Sequence, residues 1–576
     1  MSQRTRISAW PALLAGLWAC TDAPPPEVTT LAFTDVTGVA TIDFRHTHGA
    51  VGDYHYPETF GSGVAWLDVD ADGRLDLYFV DGGRLPDTGT NAGPDRATHE
   101  PLIPAGNRLY RNASRLDTVQ FEDVTEAWRA RSTSYGMGVA AADANGDGLV
   151  DLFLSNVGPN ELLVQREHTF HRLSIPTDSA WSTGCAFTDL DLDGDLDLAV
   201  VNYVHFDASD LHACQRGSIR TYCDPGVYEP MGDALFRNTL QETGEFSLVE
   251  ITQDARFGAA ARSLGIGIGD LDLDGDSEIY VANDGQHNFL YRNDSIPGRI
   301  LLLDVSLTAG TRFNSNGMAE AGMGVGIDDL DADGYPDLVV ANFSRETHTL
   351  YQHTGKGLSF RDVTREAGLA RASFLPLGFG VSLFDADLDG DVDLFSAHGH
   401  VLDKAAEIDA SLTYAQPDGL FLNEAGRFED HSTALGVAYH VPRPSRSSAG
   451  ADYDGDGDVD LIVTSVGGRP RLLRNDLDTD RHWLVVELQT QLPGNRAGWG
   501  SRVEVEAPGS RQTRQLQTGG SYLSAPPPRL HFGLGRDVSK VDITVHWPGG
   551  AAETWHQLPV DEHVQLVQGA AAAPLD

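Results

Sequence analysis

The chain has 576 residues, 62 of them glycine, and 84 acidic against 41 basic side chains, a formal net charge of −43 at pH 7 with histidine neutral. Length and a glycine-rich, methionine-poor composition describe a turn-rich β protein of roughly two or three domains with room for a substantial core. The acidity excludes nucleic acid and anionic membrane as electrostatic partners, and without counter-cations it would strain a compact state by self-repulsion.

Residues 1–20 read as an export signal. Arg4 and Arg6 form a basic start, Ala12 to Leu17 a short apolar core, and Leu17, Ala19 and Cys20 stand at −3, −1 and +1 as in a bacterial lipobox, which makes Cys20 the expected lipidated residue. Simple secretion is the alternative. Residues 21–30, with Pro24, Pro25 and Pro26, then form a tether. No later stretch approaches the length of a transmembrane helix. The expected location is the bacterial cell envelope or surface, with the membrane touched only through the N-terminal lipid.

Residues 31–481 repeat one phrase, Asp-x-Asp-x-Asp-Gly-x-x-Asp, seven times. Its positions one, three, five and nine are Asp68, Asp70, Asp72 and Asp76 in the first copy, and Asp143, Asn145, Asp147 and Asp151 in the second. The third has Asp189, Asp191, Asp193 and Asp197; the fourth has Asp270, Asp272, Asp274 and Glu278. The fifth has Asp329, Asp331, Asp333 and Asp337, the sixth Asp385, Asp387, Asp389 and Asp393, and the seventh Asp452, Asp454, Asp456 and Asp460. Oxygen ligands at these positions can wrap a hard cation, glycine at position six allows the sharp turn, and the position-seven carbonyl adds a ligand, as in an EF-hand loop. A single Asp-Gly turn would be only a solvated hairpin. Seven copies predict about seven Ca²⁺, offsetting about fourteen of the negative charges, with the second loop weakest because Asn145 carries no charge.

Each loop lies between apolar strands. Gly63, Gly138, Gly184, Gly265, Gly324 and Gly380 stand five residues before the first aspartate, and Ser447 takes that place in the seventh copy. Runs such as LYFV from Leu77 and LVVAN from Leu338 follow the loop; then come phrases such as RLYRN from Arg108, and FEDVT from Phe121. Four strands per repeat predict an all-β chain: a seven-bladed β-propeller with calcium loops. FTDVT from Phe33 supplies the fourth strand that the seventh repeat lacks and is expected to close the ring; WLVVEL from Trp483 is the alternative.

Loops joining strands one and two share one face of such a ring. The long insertions, at 81–106, 203–233 and 396–418, fall on the other face, where recognition is expected. Every linker entering a blade holds an arginine, and Arg129, Arg256, Arg371 and Arg446 are the candidates for binding carboxylate, sulfate or phosphate oxygens. The alternative is pairing with acids such as Glu126, Asp254 or Glu366. His46, His48, His55 and Glu58, with His398 and His400, are the only catalytic candidates, and polar loop packing is their ordinary explanation. Cys214 and Cys223 are expected to form a disulfide, and Cys185 to be a small buried hydrophobe.

From His482 the calcium phrase stops and alternating strands between glycine turns predict a small, separate β-sandwich over 482–570, with a tail at 571–576. Here the chain resembles known families. The repeats are similar to the FG-GAP/VCBS repeats of integrin α-subunits. NRAGWGSRVEV from Asn495, GGSYLSAPP from Gly519, LHFGLG from Leu530 and VHWPGG from Val545 resemble the ASPIC/UnbV domain found with such repeats. The resemblance implies extracellular binding or adhesion and brings no catalytic residues. The expected function is therefore calcium-stabilised binding of an extracellular protein or glycan, with a calcium-dependent polysaccharide hydrolase or lyase as the alternative.

Overall fold

The computed structural model describes residues 30–85, 106–115, 118–173, 175, 180–209, 212–550, 552–570 and 573–574. The export signal with Cys20, nearly all of the tether and most of the first insertion lie outside them. Seven four-stranded antiparallel sheets dominate. Blade one consists of Val64–Leu67, Asp76–Phe79, Arg108–Asn112 and Phe121–Asp123, and the same order recurs through blade six, which ends at Arg427–Asp430. Each innermost strand touches the next, and that of the last blade, Ser445–Ala451, returns to Val64–Leu67, so the ring is closed. The N-terminal strand does complete the last blade. Phe33–Asp35 pairs antiparallel with Arg471–Asn475, Phe33 opposite Asn475, whereas His482–Gln489 pairs only within the C-terminal unit.

Inner strands approach closely because glycine lines the ring centre. A Cβ on Gly265 would lie 1.9 Å from the Met323 carbonyl oxygen, and one on Gly324 2.0 Å from that of Phe379. Neighbouring blades are also tied by a side chain at the end of each third strand. The Nδ2 of Asn112, Asn238, Asn293, Asn423 and Asn475 donates to the position-two carbonyl of the preceding blade's loop at 2.8–3.1 Å. Gln165 does the same in blade two, reaching the Val69 carbonyl at 2.8 Å. Blade five has His353 there, which turns instead to the Gly357 carbonyl at 2.6 Å.

Beyond residue 481 two further four-stranded sheets face each other. One holds Arg529–Gly535, His482–Gln489, Glu562–Val567 and Ala573–Pro574; the other holds Ser510–Gln515, Arg502–Ala507, Lys540–His546 and Ala552–Pro559. Alternation buries Leu484, Val486, Val503, Val505, Phe532, Ile543 and Leu566 between them. The sandwich is not packed by itself, as the separate domain expected from the change of grammar would be: its core forms one cluster with Phe153 of blade two and with Phe187 and Leu198 of blade three. Residues 518–527 leave it as a strap and enter the ring centre. Ser521 exchanges backbone hydrogen bonds with Val325 (2.6 and 2.9 Å) and Ala525 with Val64 and Trp66 (3.0 and 3.2 Å). Tyr522 is 0% exposed, its ring 5.0 Å from that of Phe379.

Two stability changes follow, each read by urea unfolding. Tyr522→Ala empties the channel and should cost about 3–5 kcal/mol, whereas Tyr522→Phe should be near neutral because the hydroxyl has no hydrogen-bond partner. Asn293→Leu leaves the Leu190 carbonyl without its donor and should cost about 1–3 kcal/mol.

Candidate functional site

The seven acidic loops share one geometry. The position-one carboxylate accepts the N–H of glycine six in every copy, from Gly73 onto Asp68 at 2.9 Å to Gly457 onto Asp452 at 3.1 Å. The position-nine carboxylate accepts two N–H groups, one from position two of its own loop and one from the third strand. For Asp76 these are Val69 at 2.8 Å and Asn112 at 2.7 Å, and for Asp393 Ala386 and Asn423, both at 2.7 Å. Position nine therefore splints its blade as well as offering oxygen to an ion.

The fold brings the remaining carboxylates together. One oxygen each of Asp68, Asp70 and Asp76 lies within 4.8 Å of the others, as in Asp189, Asp191 and Asp193, in Asp270, Asp272 and Glu278, and in Asp329, Asp331 and Asp333. Burial, and then mutual repulsion, pushes several loop carboxylates up. Asp76, Asp151 and Asp337 rise to about 8 despite their N–H bonds, and Asp143 and Asp270 to about 6. In the sixth and seventh loops Asp385 and Asp454, raised first by burial, are raised further by Asp389 with Asp387 and by Asp456 with Asp452. Asp70 Oδ1, Asp191 Oδ1, Asp193 Oδ2 and Asp272 Oδ1 are buried without a hydrogen-bond donor. Converging oxygens, orphaned and repelling, fit a hard cation. In the second loop Asn145 Oδ1 accepts the Asp147 N–H at 2.9 Å, as Asp331 Oδ1 accepts that of Asp333 at 3.3 Å in the fifth.

The sandwich sits on this same face, a contact that local spacing gave no sign of. Arg529 Nη2 donates to the Gly73 carbonyl at 2.7 Å, Gln515 Nε2 to that of Asp270 at 2.7 Å, His531 Nε2 lies 2.8 Å from that of Gly457, and Arg481 Nη1 lies 2.7 Å from Asp387 Oδ1.

On the opposite face the four candidate arginines divide. Arg129, Arg256 and Arg371 are exposed and have no acidic partner among the described residues, whereas Arg131 pairs with Glu126. Arg446 is a correction. It is 0% exposed, donates to the carbonyls of Thr59, Gly399, Ser445 and His400 at 2.8–3.2 Å, and lies 4.1 Å from the centre of the Phe379 ring. It struts the interior and cannot meet a ligand from outside.

The histidines also belong to packed interior. His46, His398 and His400 are buried, and burial drives them down to about 3, about 4 and about 4, so they are neutral at physiological pH. His348 was missed from sequence; its Nε2 lies 3.2 Å from that of His398. Glu58, raised by burial to about 7, accepts the Tyr222 hydroxyl at 2.9 Å. Above it the first linker, the third-blade insertion and the sixth-blade insertion meet. Arg220 and Lys404 each lie 5.2 Å from the centre of the Tyr54 ring, and Lys404 Nζ donates to the Tyr54 hydroxyl at 2.7 Å. Cys214 and Cys223 are joined by a disulfide in that insertion, and Cys185 is buried and free, its thiol pushed up to about 12.

Residues 491–573 match the family described as ASPIC and UnbV, and residues 68–154, 143–200 and 329–396 match the FG-GAP-like repeat. Cartilage acidic protein 1 of Mus musculus is 24% identical over 514 residues, covering 86% of this chain and 71% of the relative. The Homo sapiens protein is 23% identical over 515 residues, covering 86% and 70%. Among solved structures, an Agrocybe aegerita lectin, described by its recognition of non-reducing terminal N-acetylglucosamine, is 12% identical with a TM-score of 0.36, over 71% of this chain and 87% of its own. The chain carries FG-GAP-like repeats followed by an ASPIC and UnbV domain, and over most of its length it is homologous to cartilage acidic protein 1.

Proposed function

We propose that this is a calcium-stabilised, exported binding protein, lipid-anchored through Cys20, which holds one Ca²⁺ in each loop and recognises an acidic extracellular partner on the face opposite the loops. The observation that carries the calcium reading is the set of buried loop oxygens without donors. Bound Ca²⁺ would supply only charge neutralisation and coordination, clamping strands one and two of each blade at their shared turn. For recognition, the support is that the sandwich covers the loop face while Arg129, Arg256 and Arg371 stand unpaired on the other. An extracellular glycan rich in uronate or sulfate suits their planar forks.

Metal content should come to five to seven Ca²⁺ per chain, an expectation from loops with three or more carboxylates. EDTA should lower Tm markedly, since each site at 100 times its Kd adds about 2.7 kcal/mol. The pH dependence has a definite sign. The loop carboxylates have folded pKa values above their unfolded values, so in calcium-free protein their contribution is fully present below about pH 4 and lost as pH rises towards 8. Tm of the EDTA-treated protein should fall across that window, and the gain from added Ca²⁺ should widen across it. An unchanged Tm after complete calcium removal would refute the calcium reading.

Ligand binding is tested on an array of uronate-rich and sulfated glycans at fixed calcium. Binding should weaken as salt rises. The triple variant Arg129→Asn, Arg256→Asn, Arg371→Gln should lose most of it at unchanged Tm; asparagine tolerates the φ of 55° and 59° at the first two positions. Equal binding by this variant would place the ligand elsewhere, and shortened glycan products would favour the hydrolase or lyase alternative.

A further inference from the structure

A cavity of about 200 Å³ lies between the sandwich and the inner strands of blades five to seven. Much of its wall is apolar, with Val325, Val381, Leu383 and Phe384 on the propeller side and Val485 and Leu530 on the sandwich side. Its polar groups are not those of a finished interface. Arg514 lines the cavity and is 6% exposed, yet its guanidinium lies 3.5 Å from Asp328 Oδ1, 3.4 Å from Gln512 Oε1 and 3.4 Å from the Thr513 carbonyl. A charge-assisted hydrogen bond is typically about 2.7–2.9 Å, so all three of these contacts are long, and the guanidinium also lies 5.6 Å from the centre of the Phe532 ring. Asp328 directs Oδ1 to the Asp329 N–H at 2.9 Å. His531 also lines the cavity. Its Nε2 is held by the Gly457 carbonyl at 2.8 Å, and its Nδ1 is buried without a donor. The Ser448 hydroxyl, which also lines the cavity, lies 2.8 Å from that of Ser382 and adds a group able to donate or accept.

We propose that this cavity is a binding site for a small organic acid. The carboxylate engages Arg514, whose planar fork accepts two oxygens at once, the apolar body lies against Val325, Val381 and Leu530, and a donor on the ligand meets His531 Nδ1. An apolar cavity of about 150 Å³ admits benzene, so the ligand is about the size of benzoate. Asp452, position one of the seventh loop, also lines the cavity, so the loop is kept loaded in the test; the arginines of the opposite face do not enter this inference.

The test uses the full chain in calcium-containing buffer with benzoate as probe and benzyl alcohol as its neutral counterpart. Calorimetric titration should show saturable benzoate binding and about tenfold or weaker affinity for benzyl alcohol, a difference of about 1.4 kcal/mol or more. Arg514→Met should remove the difference. Because that variant can fail to fold, crystals of the unaltered protein soaked with 4-bromobenzoate give a second reading, in which the bromine signal should lie among Val325, Val381 and Leu530 with the carboxylate on Arg514. Equal affinities for the two probes, a cavity holding only water after the soak, or bromine found only elsewhere would each overturn the proposal.

Discussion

One side chain per blade, the carboxylate at position nine of the acidic loop, ties that loop to the third strand of its own blade. In blade seven, Asp460 accepts the Tyr453 N–H of its loop at 3.2 Å and the Asn475 N–H of the third strand at 2.8 Å. Asn475 then sends its own Nδ2 to the Ala386 carbonyl of blade six at 2.9 Å. Loop, blade and neighbouring blade are thus linked in series, and the series repeats around the ring with its one interruption at His353. The link requires an acceptor on both oxygens, which is why each blade places a carboxylate there; burial raises these carboxylates against the pull of their two N–H bonds. The acidity of the chain is therefore partly a structural requirement of the rim.

Crowding of acid on one face has a second consequence. The turns come so close to the sandwich that side chains are excluded at the contacts. A Cβ on Gly457 would lie 2.0 Å from the Trp483 ring, and one on Gly494 2.6 Å from Asp195 Cβ. A surface engaged in this way is not free for a macromolecular partner. On the opposite face three arginines have no acidic partner among the described residues, while a fourth, Arg446, has been drawn into the interior.

The limits of what the sequence discloses follow from distance along the chain. The loops, the closing strand at Phe33 and the small buried Cys185 were legible because each is a local pattern or the missing member of a repeat. The outer strands of blade two, Glu161–Arg166 and Thr169–Leu173, were not, because Gln165 replaces the asparagine and a two-residue turn replaces the usual connection. Arg446 was misread for a related reason. Its inner-strand position looks like that of a linker arginine, but the carbonyls that bind it come from residues as remote as Thr59. The strap at 518–527 reads as a glycine-rich loop, and nothing within it reveals that its partners are Val64 and Val325.

That same separation shapes how the molecule comes together. Each acidic loop joins adjacent strands of one hairpin, so a blade can be organised by contacts a few residues apart, whereas the closing strand must find Arg471–Asn475 at the other end of the ring. Loop-closure entropy grows only slowly with length, but distant pairing lowers folding rates. Local organisation of the blades is therefore expected to precede closure, and the strap to follow, because its sites on Val64 and Val325 belong to blades one and five and come together only once the ring is shut. A cation bound at such a loop would favour this order by fixing the hairpin before its long-range partners arrive, and the buried Tyr522 would then hold the finished ring from within.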